Sequence, residues 1–113
     1  MTRNRILIVD DSEVTRAALS ARLTQRGASV VCANSAEDAL ALDASDISAA
    51  IVDVDLGHGD DGLTLADTLQ GRNPSLRLAL FTGKERLPDA SRTTFHKPDE
   101  VDRVVAWALA IKA

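Results

Sequence analysis

Three short, mainly apolar runs stand out along the chain: ILIV at 6–9, AAIVDV at 49–54 and LRLALF at 76–81. Runs of this length without polar alternation predict strands buried on both faces, as in a parallel sheet covered by helices. ASVVCA at 28–33 is a mixed fourth run, and TTFHK at 93–97 is a weak fifth. Helix signals lie between them. Ser12 and Glu13 open a segment in which Leu19 and Leu23 fall one helical turn apart, and Gly27 closes it as a C′ residue. Ser35, with Asp38 three residues on, resembles a capping box and leads into Ala39, Leu40 and Leu42. Residues 62–71 carry Leu65, Ala66 and Leu69 at helical spacing. Near the C-terminus Asp99 offers an N-cap, and Val101, Val104, Val105, Ala108 and Leu109 make one apolar stripe. Strands alternating with helices predict βαβ units and an α/β fold with a parallel sheet.

One connection breaks the alternation. If the fourth strand ends at Phe81 and the fifth opens near Thr93, the 11 residues 82–92 join them, with Gly83 and Pro88 among them and no helical stripe. A parallel crossover takes at least about 10 to 12 residues, helix included. The helix between these two strands, the fourth in order, is therefore expected to be short or absent.

Composition narrows the picture. The 113 residues are 45 % hydrophobic and include 13 Lys and Arg against 17 Asp and Glu, a net charge of −4. One domain over residues 1–113 is expected, since a chain of this size buries about 60 to 70 % of its unfolded surface and needs no staple. The single cysteine, Cys32, cannot form an internal disulfide and is expected to be a small buried apolar residue in a reducing compartment. No apolar run approaches the roughly 18 residues of a membrane span, and the charged N-terminus precedes too short an apolar stretch for a signal peptide. A cytoplasmic location without membrane contact is expected. The acidic surplus also argues against a nucleic-acid surface, which needs basic groups to neutralise phosphates.

The acids are not scattered. Asp10 and Asp11 directly follow ILIV, and Asp53 and Asp55 end AAIVDVD. In open parallel sheets ligands bind beyond the carboxyl ends of the strands, where strand order reverses, so two strands ending in acids converge them on one site. Carboxylates this close repel one another, and a hard divalent cation relieves the repulsion. Mg²⁺ suits such a set, because it takes one or two carboxylates, keeps waters and accepts a phosphate oxygen. The hydroxyl of Thr82 is expected at the same edge, with Gly83 leaving room for a tetrahedral group and Lys97 supplying a compact positive charge.

In order and at these strand ends, ILIVDD, IVDVD, LFTGK and FHKP resemble the receiver domain of bacterial two-component response regulators, over essentially the whole chain. The resemblance implies a doubly wound, flavodoxin-like, five-stranded parallel sheet of order 2-1-3-4-5. It implies that Asp53 accepts a phosphoryl group from the phosphohistidine of a sensor histidine kinase or histidine phosphotransfer protein. Asp11 and Asp53 would ligate Mg²⁺ directly, Asp10 would act through water, and the main-chain carbonyl of Asp55 would complete the protein ligands. Thr82 and Lys97 would hold the phosphoryl group, and the peptide before Pro98 would be cis. Such a domain is not a conventional enzyme; it catalyses only its own phosphorylation and dephosphorylation and signals through contact with a downstream protein.

The departures are specific. Gly57 stands where a proline is usual, HGDDG lengthens the loop after Asp53, and Lys97 follows Thr82 by only 15 positions. Thr94 occupies the position of the usual aromatic switch residue, with Phe95 one place later. LFTG loosely resembles the FATG-like motif of a subgroup with a poorly formed fourth helix. His58 beside Asp60 and Asp61 matches no zinc spacing, and His96 reads as a solvent-facing strand residue. Trp107 and Ile111 lie beside the stripe of the last helix, where they either pack on the sheet flank or form a homodimer or partner surface. The resemblance implies that Asp55 and Lys84 flank the phosphoryl site, where acid and base would pair across it and shield it from water. Two alternatives stay open: a haloacid-dehalogenase-like phosphatase or phosphotransferase using Asp53 and Asp55, and a pseudo-receiver that binds a partner without phosphorylation.

Overall fold

The computed structural model describes residues 5–42, 46–54, 62–83, 92–97 and 99–110. The described elements run β1 (Arg5–Val9), α1 (Glu13–Gln25), β2 (Ser29–Ala33), α2 (Ala36–Leu40), β3 (Ala49–Val52), α3 (Gly62–Arg72), β4 (Arg77–Thr82), β5 (Thr93–His96) and α4 (Val101–Leu109). All five strands are parallel, in the order β2-β1-β3-β4-β5. The chain leaves β1 toward β2 and then returns past β1 to β3, so strand order reverses beside β1. This is the doubly wound sheet that the apolar runs and their resemblance imply.

The mainly apolar runs become the central strands because both of their faces are covered. Alternate residues of one strand enter different cores. Leu7, Val9, Ala50, Val52, Leu78 and Leu80 pack with Leu65, Ala66 and Leu69 of α3 and Ala39 of α2. Ile6, Ile8, Ala49, Ile51 and Phe81 pack with Leu19 and Leu23 of α1 and with Val104, Val105 and Ala108 of α4. Of the stripe on the last helix, Val104, Val105 and Ala108 are buried, and Val101 and Leu109 pack partly buried against the same core. Among the described residues, no helix is long and apolar enough to cross a membrane.

Helix ends follow local chemistry where the sequence supplies it. The Ser12 hydroxyl accepts from the Thr15 amide at the start of α1, and that of Ser35 accepts from the Asp38 amide at the start of α2. Gly27 follows α1 with φ of 91°, the left-handed position that glycine occupies without strain. Two expectations are corrected. The residue at the start of α4 is Glu100 rather than Asp99, and it makes no side-chain cap, because its carboxylate turns back to His96. Cys32 is exposed rather than buried, because β2 is an edge strand with no neighbour on its outer side. Partial covering still pushes its thiol pKa up, against a smaller opposing pull from Arg16.

β4 runs one residue past Phe81, so the 10 residues 83–92 join it to β5, as a short or missing crossover helix requires. Residues 84–91 lie outside the described set.

Candidate site at the carboxyl edge of the sheet

Register places the acids. Val9 of β1 pairs with Val52 of β3, so the next residues, Asp10 and Asp53, emerge side by side where strand order reverses. Backbone hydrogen bonds continue the sheet through both: the Asp10 amide donates to the Ala33 carbonyl at 3.1 Å and the Asp53 amide to the Val9 carbonyl at 2.8 Å. The two acids are buried, with relative exposures of only 2 % and 6 %, while Asp11 is exposed. One carboxylate oxygen from each of Asp10, Asp11 and Asp53 can be chosen so that all lie within 4.8 Å of one another.

Burying a carboxylate without partners is costly, and each buried acid here has them. Oδ1 of Asp10 accepts from the Ser12 amide at 2.8 Å, and its Oδ2 accepts from Nζ of Lys97 at 2.6 Å. The same ammonium lies 3.4 Å from Oδ2 of Asp53. Lys97 is the residue after β5, and its amide donates to the Thr82 carbonyl at 2.8 Å, which fixes the root of the side chain. Its ammonium passes 5.7 Å from the centre of the Phe81 ring, an apolar support with a favourable quadrupole. Thr82, buried at the end of β4, stands two residues beyond Leu80, the partner of Val52. Three carboxylates therefore face one ammonium, leaving net negative charge and hard oxygen donors, the donor chemistry of a Mg²⁺ or Ca²⁺ site.

The chain matches the response regulator receiver domain over residues 6–99. It belongs to that family. A curated relative, the transcriptional regulatory protein AruR of Pseudomonas aeruginosa, is 35 % identical over 107 residues, which is 89 % of this chain and 38 % of that protein. The chain thus spans well under half of that relative's length. Among solved structures it is similar to a response regulator protein from Burkholderia pseudomallei determined with a phosphorylated aspartic acid, calcium ion and citrate. That likeness has 30 % identity and a TM-score of 0.81, and covers 95 % of this chain and 66 % of the other. The signal receiver domain of an HD domain-containing protein from Pseudomonas fluorescens is 28 % identical with a TM-score of 0.82, over 95 % of this chain and 91 % of that one. Receivers are modules of two-component phosphorelay signalling.

The receiver's carboxyl edge gathers Asp10, Asp11, Asp53, Thr82 and Lys97, each at the strand end that the sequence assigns to it. Asp55, Gly57, His58, Asp60, Asp61, Lys84, Pro98 and Ile111 lie outside the described residues, and with them the Asp55 carbonyl, the Asp55–Lys84 pair and the cis peptide. Thr94 is half-buried, and its hydroxyl donates to the Arg92 carbonyl at 3.1 Å. Trp107 packs on its own sheet flank, against Phe95 at 6.3 Å between ring centres and beneath the Arg77 guanidinium at 4.5 Å.

Three supporting residues went unnoticed in the sequence. Nη1 of Arg16 donates to the main-chain carbonyl of Asp10 at 2.6 Å, holding the turn that carries Asp11. Phe81 supports the Lys97 ammonium from below. Gly62 sits so close to the end of β3 that a Cβ there would fall 2.0 Å from the Asp53 carbonyl oxygen. Arg16 carries no local signal, because its bond joins a helix to the turn before it. A glycine opening a predicted helix, as Gly62 does, was the one available hint of close backbone approach.

Proposed function

We propose that Asp53 accepts a phosphoryl group, in a Mg²⁺-dependent step, from the phosphohistidine of a sensor histidine kinase or histidine phosphotransfer protein. A carboxylate oxygen of Asp53 bonds to phosphorus in line as the bond from phosphorus to the imidazole nitrogen breaks. The bonding pair returns to that nitrogen, and the product is an acyl phosphate. The chain supplies position and charge. Lys97 would leave its contacts with Asp10 and Asp53 to neutralise a phosphoryl oxygen, and the Thr82 hydroxyl would donate to another. Asp11 and Asp53 would hold the cation directly, Asp10 through water and Asp55 through its carbonyl; when bound, Mg²⁺ supplies positive charge to the phosphoryl oxygens. The new acyl phosphate changes the charge at one sheet edge, and that change would be read by a downstream protein.

The observation that carries this reading is the shared ammonium: Lys97 lies 2.6 Å from one buried carboxylate and 3.4 Å from the other, at the point where strand order reverses. The aspartyl phosphate and metal ion described for the Burkholderia pseudomallei regulator, an overall neighbour at 30 % identity, support it. Incubation with acetyl phosphate and Mg²⁺ followed by intact mass and peptide mapping tests it. A single phosphoryl adduct on Asp53 that is lost in Asp53→Asn is expected. No adduct, or one that survives that substitution, overturns the assignment.

A further inference from the structure

Lys97 reaches the acids on a flexible four-carbon stem, so where its ammonium sits depends on how firmly the backbone at its root is held. That root follows β5, an edge strand of only four residues, TTFH. Because the Lys97 amide points inward to the Thr82 carbonyl, the His96 amide one residue earlier points to the open edge of the sheet. It is not left unpaired. Oε1 of Glu100 accepts from it at 2.9 Å and lies 3.2 Å from Nδ1 of the His96 ring, which donates when it carries the proton. The Glu100 amide in turn donates to the His96 carbonyl at 2.9 Å. Oε2 of Glu100 accepts from Nη1 of Arg103 at 3.1 Å, and the Glu100 carbonyl receives the Val104 amide at 2.9 Å in the first turn of α4. These bonds from His96, first its amide and then its ring, hold the Glu100 carboxyl below the usual carboxylate range.

We propose that Glu100 is a positioning residue for Lys97: by binding both the amide and the carbonyl of His96 it closes the turn after β5 and fixes the stem from which Nζ reaches Asp10 and Asp53. One carboxylate thereby ties the charge at the site to the start of α4, and it does so without touching the phosphoryl group. This inference rests on the phosphoacceptor reading of the site, in which the placing of Lys97 matters for the rate.

Two measurements on the full chain test it. The first is amide hydrogen exchange at His96, which is expected to be slow in spite of its place on the open edge and fast in Glu100→Ala; fast exchange in the wild type overturns the clasp. The second is labelling of Asp53 by acetyl phosphate. Glu100→Ala is expected to slow labelling about tenfold, while Mg²⁺ affinity by calorimetry stays within about twofold, since a displacement of about 1 Å costs rate without removing a ligand. Glu100→Gln, whose amide oxygen still accepts from His96, is expected to recover most of the rate, which a purely electrostatic role would not allow. If Glu100→Ala fails to fold, Glu100→Asp replaces it, because its shorter carboxylate cannot span the turn; it must then be slow while Glu100→Gln is fast, and equal rates overturn the proposal. A wild type that labels, beside a folded Glu100→Ala that labels equally fast, refutes the role of Glu100 alone. A wild type that takes no label overturns the phosphoacceptor reading and this inference together.

Discussion

At Gly62 the main chain of α3 rests on the main chain at the end of β3. A methyl group there would meet the Asp53 carbonyl oxygen at 2.0 Å and the Val54 Cα at 2.8 Å, and neither atom belongs to a side chain that could swing aside. The same contact is stitched by the Gly62 amide, which donates to the Val54 carbonyl at 2.9 Å. Gly62→Ala is therefore expected to cost about 1–3 kcal/mol by overpacking, seen in thermal denaturation, and to weaken Mg²⁺ binding as Asp53 is displaced. Gly71, in the last turn of the same helix, provides the contrast, since nothing lies within 4 Å of its Cβ position. Gly71→Ala should raise stability by about 0.5–1 kcal/mol through helix propensity and leave Mg²⁺ affinity unchanged. Equal effects at the two positions would show that the close approach at Gly62 is not what matters.

Among the elements, α4 depends most on what lies outside it. Its stripe packs on the sheet, and its C-terminal end is held by Arg77, the first residue of β4. Nη1 of Arg77 donates to the Ala110 carbonyl at 2.7 Å and Nη2 to the Trp107 carbonyl at 2.8 Å, while the guanidinium covers the indole of Trp107. Two last-turn carbonyls and an aromatic face are thus served by one planar group that lysine cannot imitate. Arg77→Lys and Arg77→Ala are both expected to lose about 1–2 kcal/mol, and to shift the emission of Trp107, the chain's single tryptophan, to longer wavelength as its ring is uncovered. A Lys variant that behaved as wild type would leave simple charge as the explanation. The elements differ in how legible they were for a physical reason. ILIV, AAIV and LRLALF announced themselves because strands covered on both faces need no polar residues, and α1 and α2 begin at serines that cap through their own side chains. The start of α4 was misread at Asp99 because Glu100 answers an edge amide on another element, and the exposure of Cys32 follows from strand order, which the run ASVVCA does not contain. The acids and Lys97 were legible because strand ends gave their place. Arg16 and Phe81 were not, since their part is played across a turn and between strands.

For the molecule as a whole, the acid cluster is a local liability of the metal-free form. Oxygens of three carboxylates lie within 4.8 Å of one another, and the one ammonium beside them pairs with only two, Asp10 and Asp53. A cation bound to the folded chain and not to the unfolded one stabilises it by mass action, about 2.7 kcal/mol at one hundred times the dissociation constant. The melting temperature is therefore expected to climb with Mg²⁺ concentration, and Asp11→Asn should reverse the order, melting higher than wild type in chelator and gaining little from Mg²⁺. A metal-independent melting temperature in the wild type would contradict the cluster's reading as a cation site. The two separate cores have a consequence for how such a chain can vary. Neighbouring side chains of β1 belong to opposite cores, Ile6 and Ile8 to one and Leu7 and Val9 to the other. An inserted residue would exchange every one of these contacts and carry Asp10 about 3.3 Å onward, turned to the wrong side. The strands thus act as rulers, with packing as their graduations. Length can drift only past their ends, which is where this chain carries HGDDG after Asp53 and the 10 residues between Thr82 and Thr93.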